Sequence, residues 1–297
     1  MGGPDMTDDA GAREASGPPP RARDATVHVG LIGFGAIGRD LNARLAASRP
    51  GPLAGPAIRQ TVLLRRHGAD DAPPEGLAAG TEVVHDLDAL LDAHPHVVVE
   101  AAGQAAIREM GPALLEAGID LVAASSGALG DDALLARLLA AAKRGKARLI
   151  VPSGALGGLD YLAALREEPR ARAVYTSRKP PSAWVAELAA LGHDAGMLSG
   201  TVTLFEGSAA EAARLYPRNL NAGLTLALAF GAERLTVRVV ADPAVEHNTH
   251  EIEVESPLGA ASMRFSNWPS TLNPKTSALT APGLAAAVRR HIATFVI

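Results

Sequence analysis

Across residues 25–151, short apolar runs alternate with stretches whose apolar residues recur every three or four positions. A continuous apolar run of four to eight residues suits a strand buried on both faces, and recurrence at i, i+4, i+8 suits a helix with one buried stripe. The pattern predicts strands over 25–32, 60–65, 97–100, 120–124 and 147–151. It predicts helices over 36–48 (Ile37, Leu41 and Leu45 on one stripe), 87–91, 104–117 and 131–144. Strand and helix in strict alternation predict a parallel sheet covered on both faces.

After Pro152 the periodicity changes. Segments 201–205, 235–240 and 251–255 alternate apolar with polar or charged residues, the pattern of a sheet with one solvated face. Helical stretches follow Gly158, occupy 221–230 and return over 284–296. The expected organisation is a tail over 1–24, a first domain over 25–155 and a smaller α/β domain over 156–274 with a mixed or antiparallel sheet. The C-terminal stretch 275–297 is expected to pack back on the first domain.

Composition narrows the function classes. The 297 residues suffice for two cores, and a net charge of -4 provides no basic footprint for nucleic acid. The absence of cysteine excludes disulfides, thiolate metal sites and thioester chemistry, and fits a cytoplasmic location. No apolar run reaches the length of a membrane span. Residues 1–24, rich in Gly, Pro, Ala, Asp and Arg, lack the apolar centre of a secretory signal and are expected to be disordered.

The most informative string is Gly33-Phe34-Gly35-Ala36-Ile37-Gly38, which follows a predicted strand and opens a predicted helix. In that context each glycine has a reason: a tight turn, backbone approach to a pyrophosphate, and close helix–strand packing. The helix N-terminus adds free N–H groups and partial positive charge. A doubly wound parallel sheet of the Rossmann type binding NAD or NADP is the expectation. The second strand runs into Arg65-Arg66 where an acid would accept from the ribose hydroxyls of NAD. Two guanidinium groups suit a 2′-phosphate, so NADP is favoured, the alternative being two solvated loop charges.

A hydride-transfer site also needs a proton donor or acceptor. Of nine histidines, His28 lies in the first strand, and His67, His85, His94, His96, His193 and His291 lie in loops, at element ends or on the terminal helix. In the strand around Glu251, Glu253 and Glu255, the alternation turns His250, Ile252 and Val254 inward, toward the packed face. By itself this is more often a buried histidine with a partner than a catalyst. Asn219 and Asn221, before an apolar helix, suit helix capping or binding of a carboxamide. The segment Pro152–Gly158, after the last parallel strand, suits a hinge or close approach of a ligand to backbone.

Val29–Gly38, Val97–Gly103, Ser126–Leu129, Pro152–Asp160, Arg178–Pro181, Asn219–Asn221, Ala241–Pro243 and Asn248–Ile252 occur in this order. As a set, covering residue 25 to the C-terminus, they resemble the L-aspartate dehydrogenase family. The resemblance implies NAD(P)-dependent oxidation of L-aspartate to iminoaspartate, with reductive amination of oxaloacetate as the reverse and a possible place in NAD biosynthesis. It implies His250 as the catalytic residue, and Ala155 and Asn221 as cofactor contacts beside Gly33, Gly35, Ala36, Ile37, Gly38, Arg65 and Arg66. Lys179 and Arg178 are the expected partners of the substrate carboxylates, on charge and motif position. The chain departs from the family pattern at Ala222-Gly223-Leu224-Thr225 and at Arg65-Arg66. A related reductase for another amino or hydroxy acid, and a non-catalytic NAD(P)-binding regulator, are the alternatives. No metal is expected, and a homodimer is the default expectation.

Overall fold

The computed structural model describes residues 26–47, 55–65, 74–216, 221–274 and 276–296. The tail over 1–24, Arg66, His67 and Asn219 lie outside the described residues.

The first sheet has six parallel strands: β1 (Thr26–Ile32), β2 (Ala57–Leu63), β3 (Glu82–Val84), β4 (Val97–Glu100), β5 (Asp120–Ala123) and β6 (Leu149–Ile150), in the order β3-β2-β1-β4-β5-β6. Helices α1 (Ala36–Ala46), α2 (Leu87–Asp92), α3 (Gln104–Glu116) and α4 (Asp132–Gly145) connect them. Every residue of β4 is buried, and its side chains alternate between two cores: Val98 packs with Ile107, Leu114 and Leu138, while Val97 and Val99 pack with Leu41 and Val62. That is why the strand is apolar throughout rather than alternating. The short β3 escaped the sequence reading, and β2 begins three residues earlier than the apolar run suggested.

Local chemistry sets the helix ends. The Asp131 side chain accepts from Leu134 N at the start of α4, Asp132 lies in the first turn, and Lys143 and Arg144 lie in the last. Both charge placements complement the helix dipole.

The second sheet is mixed, in the order β11-β10-β7-β9-β8, from β7 (Arg172–Lys179), β8 (Val202–Ser208), β9 (Leu235–Ala241), β10 (Asn248–Ser256) and β11 (Gly259–Asn267). Only β7 and β9 run parallel; the other pairs are antiparallel. One face packs under α5 (Leu159–Ala164), α6 (Val185–Ala190), α7 (Ala209–Leu215) and α8 (Asn221–Phe230), around Tyr175, Trp184, Phe230, Val237 and Ile252. β7 is central, yet its sequence Arg-Ala-Val-Tyr-Thr-Ser-Arg-Lys mixes polar and apolar residues on both faces and was not predicted as a strand. α9 (Thr280–Ile292) returns to the first sheet, where Ala281, Leu284 and Val288 share a core with Val29 and Leu41. Among the described residues, no helix is long and apolar enough to cross a membrane.

Candidate active site

The glycine turn joins the end of β1 to α1. Gly33 has φ +94°, and a Cβ there would lie 2.9 Å from the Ala101 carbonyl oxygen, so the turn closes against the end of β4. A Cβ on Gly38 would sit 2.2 Å from the Gly33 carbonyl oxygen. Gly35 is different: it is the N-cap of α1, and a Cβ there would meet nothing within 4 Å. Two glycines thus serve packing, and the third leaves open space in front of a helix N-terminus with no side-chain cap. This is the shape a pyrophosphate requires.

Glu100, at the end of β4, organises the neighbouring loops. It is buried, and accepts from Ala102 N at 2.8 Å, Gly103 N at 2.6 Å, and Ser125 N and Oγ, both at 3.0 Å. Burial raises its pKa, and the three N–H groups oppose that rise. The carboxyl therefore fixes the loops after β4 and β5 at the carboxyl edge of the sheet, where ligands of such sheets bind.

A cavity of about 430 Å³ opens there, between the two sheets. The first sheet contributes Ile37, Ala101–Gly103 and Ala124–Ser126, and the segment after β6 contributes Pro152–Ala155. Facing them are Lys179 of β7, Asn221, Ala222 and Thr225 of α8, and Asn248 and His250 of β10. Thr276, Ser277, Thr280 and Leu284 close the wall. The two halves are fastened at α8: Asn221 Oδ1 accepts from Gly127 N at 3.0 Å, Ser126 Oγ donates to the Asn221 carbonyl at 3.1 Å, and Thr225 Oγ1 donates to Ser126 Oγ at 2.9 Å. Asn221 is thus the first residue of α8, and its side-chain oxygen joins the two halves. The sequence had offered it as a cap of that helix or a binder of a carboxamide, and the resemblance had made it a cofactor contact.

Among the described histidines, His250 is the one that lines this cavity. It is 8% exposed, and its Nδ1 lies 2.8 Å from the Tyr175 hydroxyl. Burial, with a smaller contribution from the Lys179 charge, lowers its pKa to about 4. The ring is therefore neutral at pH 7, and Nε2 is the nitrogen left for the cavity. Among the described residues, Lys179 is the charged one in the cavity wall; its ammonium lies 5.2 Å from the centre of the Trp184 ring, and burial lowers its pKa.

The structure separates Arg178 from Lys179, correcting the expectation that both meet the substrate. Successive side chains of a strand face opposite ways. Arg178 points away from the cavity and donates to Glu251 Oε2 at 2.6 Å and Asp242 Oδ2 at 3.1 Å. Arg65 lies just beyond β2, half exposed and paired with Glu109 of α3. Ala155 lines the cavity, and its carbonyl accepts from Asn267 Nδ2 at 2.9 Å. His28, buried, is engaged with Thr61 Oγ1 at 2.8 Å. Sequence reasoning missed Tyr175, which meets His250, and Asn248, which lines the cavity. The spacing of Tyr175, Ser177 and Lys179, two residues apart, was the available signal, but no flanking apolar alternation supported it.

Comparison with known proteins decides the family. Residues 33–152 match the model described as homoserine dehydrogenase, NAD binding domain, and residues 160–291 match aspartate dehydrogenase, C-terminal. L-aspartate dehydrogenase 2 of Bordetella bronchiseptica is 47% identical over 273 residues, which span 92% of this chain and 99% of that protein. The chain belongs to the L-aspartate dehydrogenase family. L-aspartate dehydrogenase of Ralstonia nicotianae is 41% identical, over 86% of this chain and 93% of that protein. The crystal structure of aspartate dehydrogenase from Thermotoga maritima superposes with a TM-score of 0.69 at 28% identity, covering 91% of this chain and 99% of that one. This aspartate dehydrogenase family member thus pairs an NAD(P)-binding domain with the family's C-terminal domain, and the cavity lies where the two meet.

Proposed function

We propose that this protein oxidises L-aspartate to iminoaspartate with NAD(P), and in reverse aminates oxaloacetate reductively. The observation that carries the reading is the cavity wall, whose described residues include one cation, one neutral histidine and no carboxylate, facing the edge of a dinucleotide-binding sheet. Such a wall accepts a small dianion. The open space at Gly35 and the uncapped start of α1 fit a dinucleotide's pyrophosphate, with Ile37, Ala155 and Asn221 along the path to the cavity. When bound, the nicotinamide supplies the hydride acceptor. Lys179 pairs with a substrate carboxylate. His250 Nε2 takes a proton from the substrate amine, freeing the nitrogen lone pair that drives hydride from Cα. Two carboxylates entering the cavity favour the imidazolium and raise the pKa of His250 from its low value toward the working range.

The test is consumption of NADPH and of NADH with oxaloacetate plus ammonia, with pyruvate and 2-oxoglutarate as controls. Consumption that requires ammonia and selects oxaloacetate is expected. Binding of NADPH without turnover on any of these acids would favour the non-catalytic regulator instead.

NADP is the favoured cofactor. Arg65 stands just beyond the second strand, at the place where an acid would favour NAD, and its exposed pair with Glu109 of α3 is weak enough for a 2′-phosphate to displace. Changing Arg65 and Arg66 to Asp is expected to shift the ratio of kcat/KM values toward NAD by about tenfold or more, the worth of one charge-assisted hydrogen bond. An unchanged ratio would remove both arginines from cofactor choice.

A further inference from the structure

Strand pairing arranges the inner face of the second sheet in rungs. His250 stands opposite Ser177 on β7 and opposite Phe265 on β11. One rung nearer the start of β10, Asn248 stands opposite Asn267. Thr249 pairs with Arg178, so the same register brings Asn248 opposite Lys179. Alternation puts Asn248 on the face that carries His250, and Lys179 on the face that carries Ser177. Asn267, Asn248 and Lys179 therefore form one polar row. Side chains directly opposite one another in such a row have Cβ atoms about 5 Å apart. Asn248 and Lys179 both line the cavity.

The members of the row are committed differently. Asn267 Nδ2 donates to the Ala155 carbonyl at 2.9 Å and so holds the segment after β6. Lys179 brings the positive charge. Asn248 is partly buried, and among the described residues its carboxamide has no hydrogen-bond partner. A carboxamide carries two N–H donors, whereas a carboxylate only accepts. An amide donor beside an ammonium is thus a place for one carboxylate, with one oxygen for each. The neutrality of the amide also has a reason. The Lys179 charge already contributes to the low pKa of His250. A second cation in the row would lower that pKa further and repel Lys179, while a carboxamide adds a directed donor and no charge.

We propose that Asn248 is a substrate-binding residue whose carboxamide donates to the carboxylate paired with Lys179, so that the two side chains clamp one end of a small dianion. The inference rests on the substrate class proposed above; it does not depend on His250 acting as the base. His250 follows Asn248 by two residues on the same strand, a rise of roughly 7 Å. The clamp therefore holds the carboxylate within one small molecule's length of the imidazole.

The test uses succinate, a dianion with neither amine nor keto group, titrated calorimetrically into the full chain saturated with NADP. Asn248→Ala is expected to weaken succinate binding by about tenfold or more, the worth of a hydrogen bond to a charged group. The KM for oxaloacetate should rise by a similar factor while kcat changes little, the mark of binding lost equally from ground and transition states. Asn248→Asp keeps the shape but sets a like charge against the ligand, and should weaken succinate by about a hundredfold or more. NADPH affinity should be unchanged in both variants. Wild-type succinate affinity in Asn248→Ala would overturn the clamp. So would a loss confined to NADPH, which would give the carboxamide to the cofactor, and so would a wild type that binds no succinate. A wild type that binds succinate through Asn248 yet consumes no NADPH with oxaloacetate and ammonia would keep the clamp and strike the aspartate reading. Turnover on oxaloacetate with an unchanged KM in Asn248→Ala would strike the clamp alone. Should Asn248→Asp fold poorly, Asn248→Ala decides by itself.

Discussion

Replacing His250 with Ala is expected to lower kcat by about 10²–10⁴-fold, the usual contribution of a positioned general base, while NADPH binds as tightly as before. The split follows from where the residue sits. His250 belongs to β10, in the second sheet, whereas the glycine turn and the loops held by Glu100 belong to the first. Removing the ring leaves the dinucleotide cradle intact and removes the neutral base that the described residues give the cavity wall. Stability should fall little, since the ring lines a cavity and its main polar partner is one phenol. Steady-state kinetics beside a fluorescence titration with NADPH separates the two effects. A variant that keeps wild-type kcat would show that a bound water or Lys179 takes the proton, and the proposed chemistry would have to be rebuilt around one of them.

The second large effect concerns the glycine turn, where two substitutions should fail differently. Gly35→Val places a side chain in space that is empty within 4 Å, on a backbone of φ -71° that any residue adopts. The protein should fold and melt as the wild type does, yet lose NADPH affinity by about a hundredfold or more, since a branched side chain would stand where the pyrophosphate meets the helix N-terminus. Gly38→Ala puts a methyl 2.2 Å from the Gly33 carbonyl oxygen, a contact only a shift of α1 can relieve. Overpacking of this kind costs about 1–3 kcal/mol, visible in a denaturant titration, with weaker cofactor binding as a consequence. Unchanged NADPH affinity in Gly35→Val would place the cofactor elsewhere and undo the reading of the turn.

Much of the first domain was legible in the sequence because its signals are local. A strand buried on both faces must be apolar at every position, as Val97-Val98-Val99 is, and a dinucleotide turn must have glycine at its crowded points. The inward turn of His250 was legible for the same reason, since Glu251, Glu253 and Glu255 alternate with Ile252 and Val254 around it. β7 was not legible. It is a central strand, but the end of its inner face, at Lys179, borders the cavity rather than a core, and Ser177 before it is polar, so the apolar alternation that betrays a half-buried strand breaks off.

The residues that meet across distance depended on the fold alone. The sequence treated Arg178 and Lys179 as one cationic pair; the pleat sends one to Glu251 and Asp242 and the other into the cavity. Asn221 had a helix end to cap and a carboxamide to bind, and the fold fastened its oxygen to Gly127, 94 positions away. Tyr175 reaches His250 across 75 residues only because β7 and β10 pair in one register. The sequence by itself determined the chain's periodicity, its glycine turn and its family, since these rest on the preferences of neighbouring residues. Only the tertiary structure decided which groups share the cavity, because strand pairing, and not spacing along the chain, sets the distances between them.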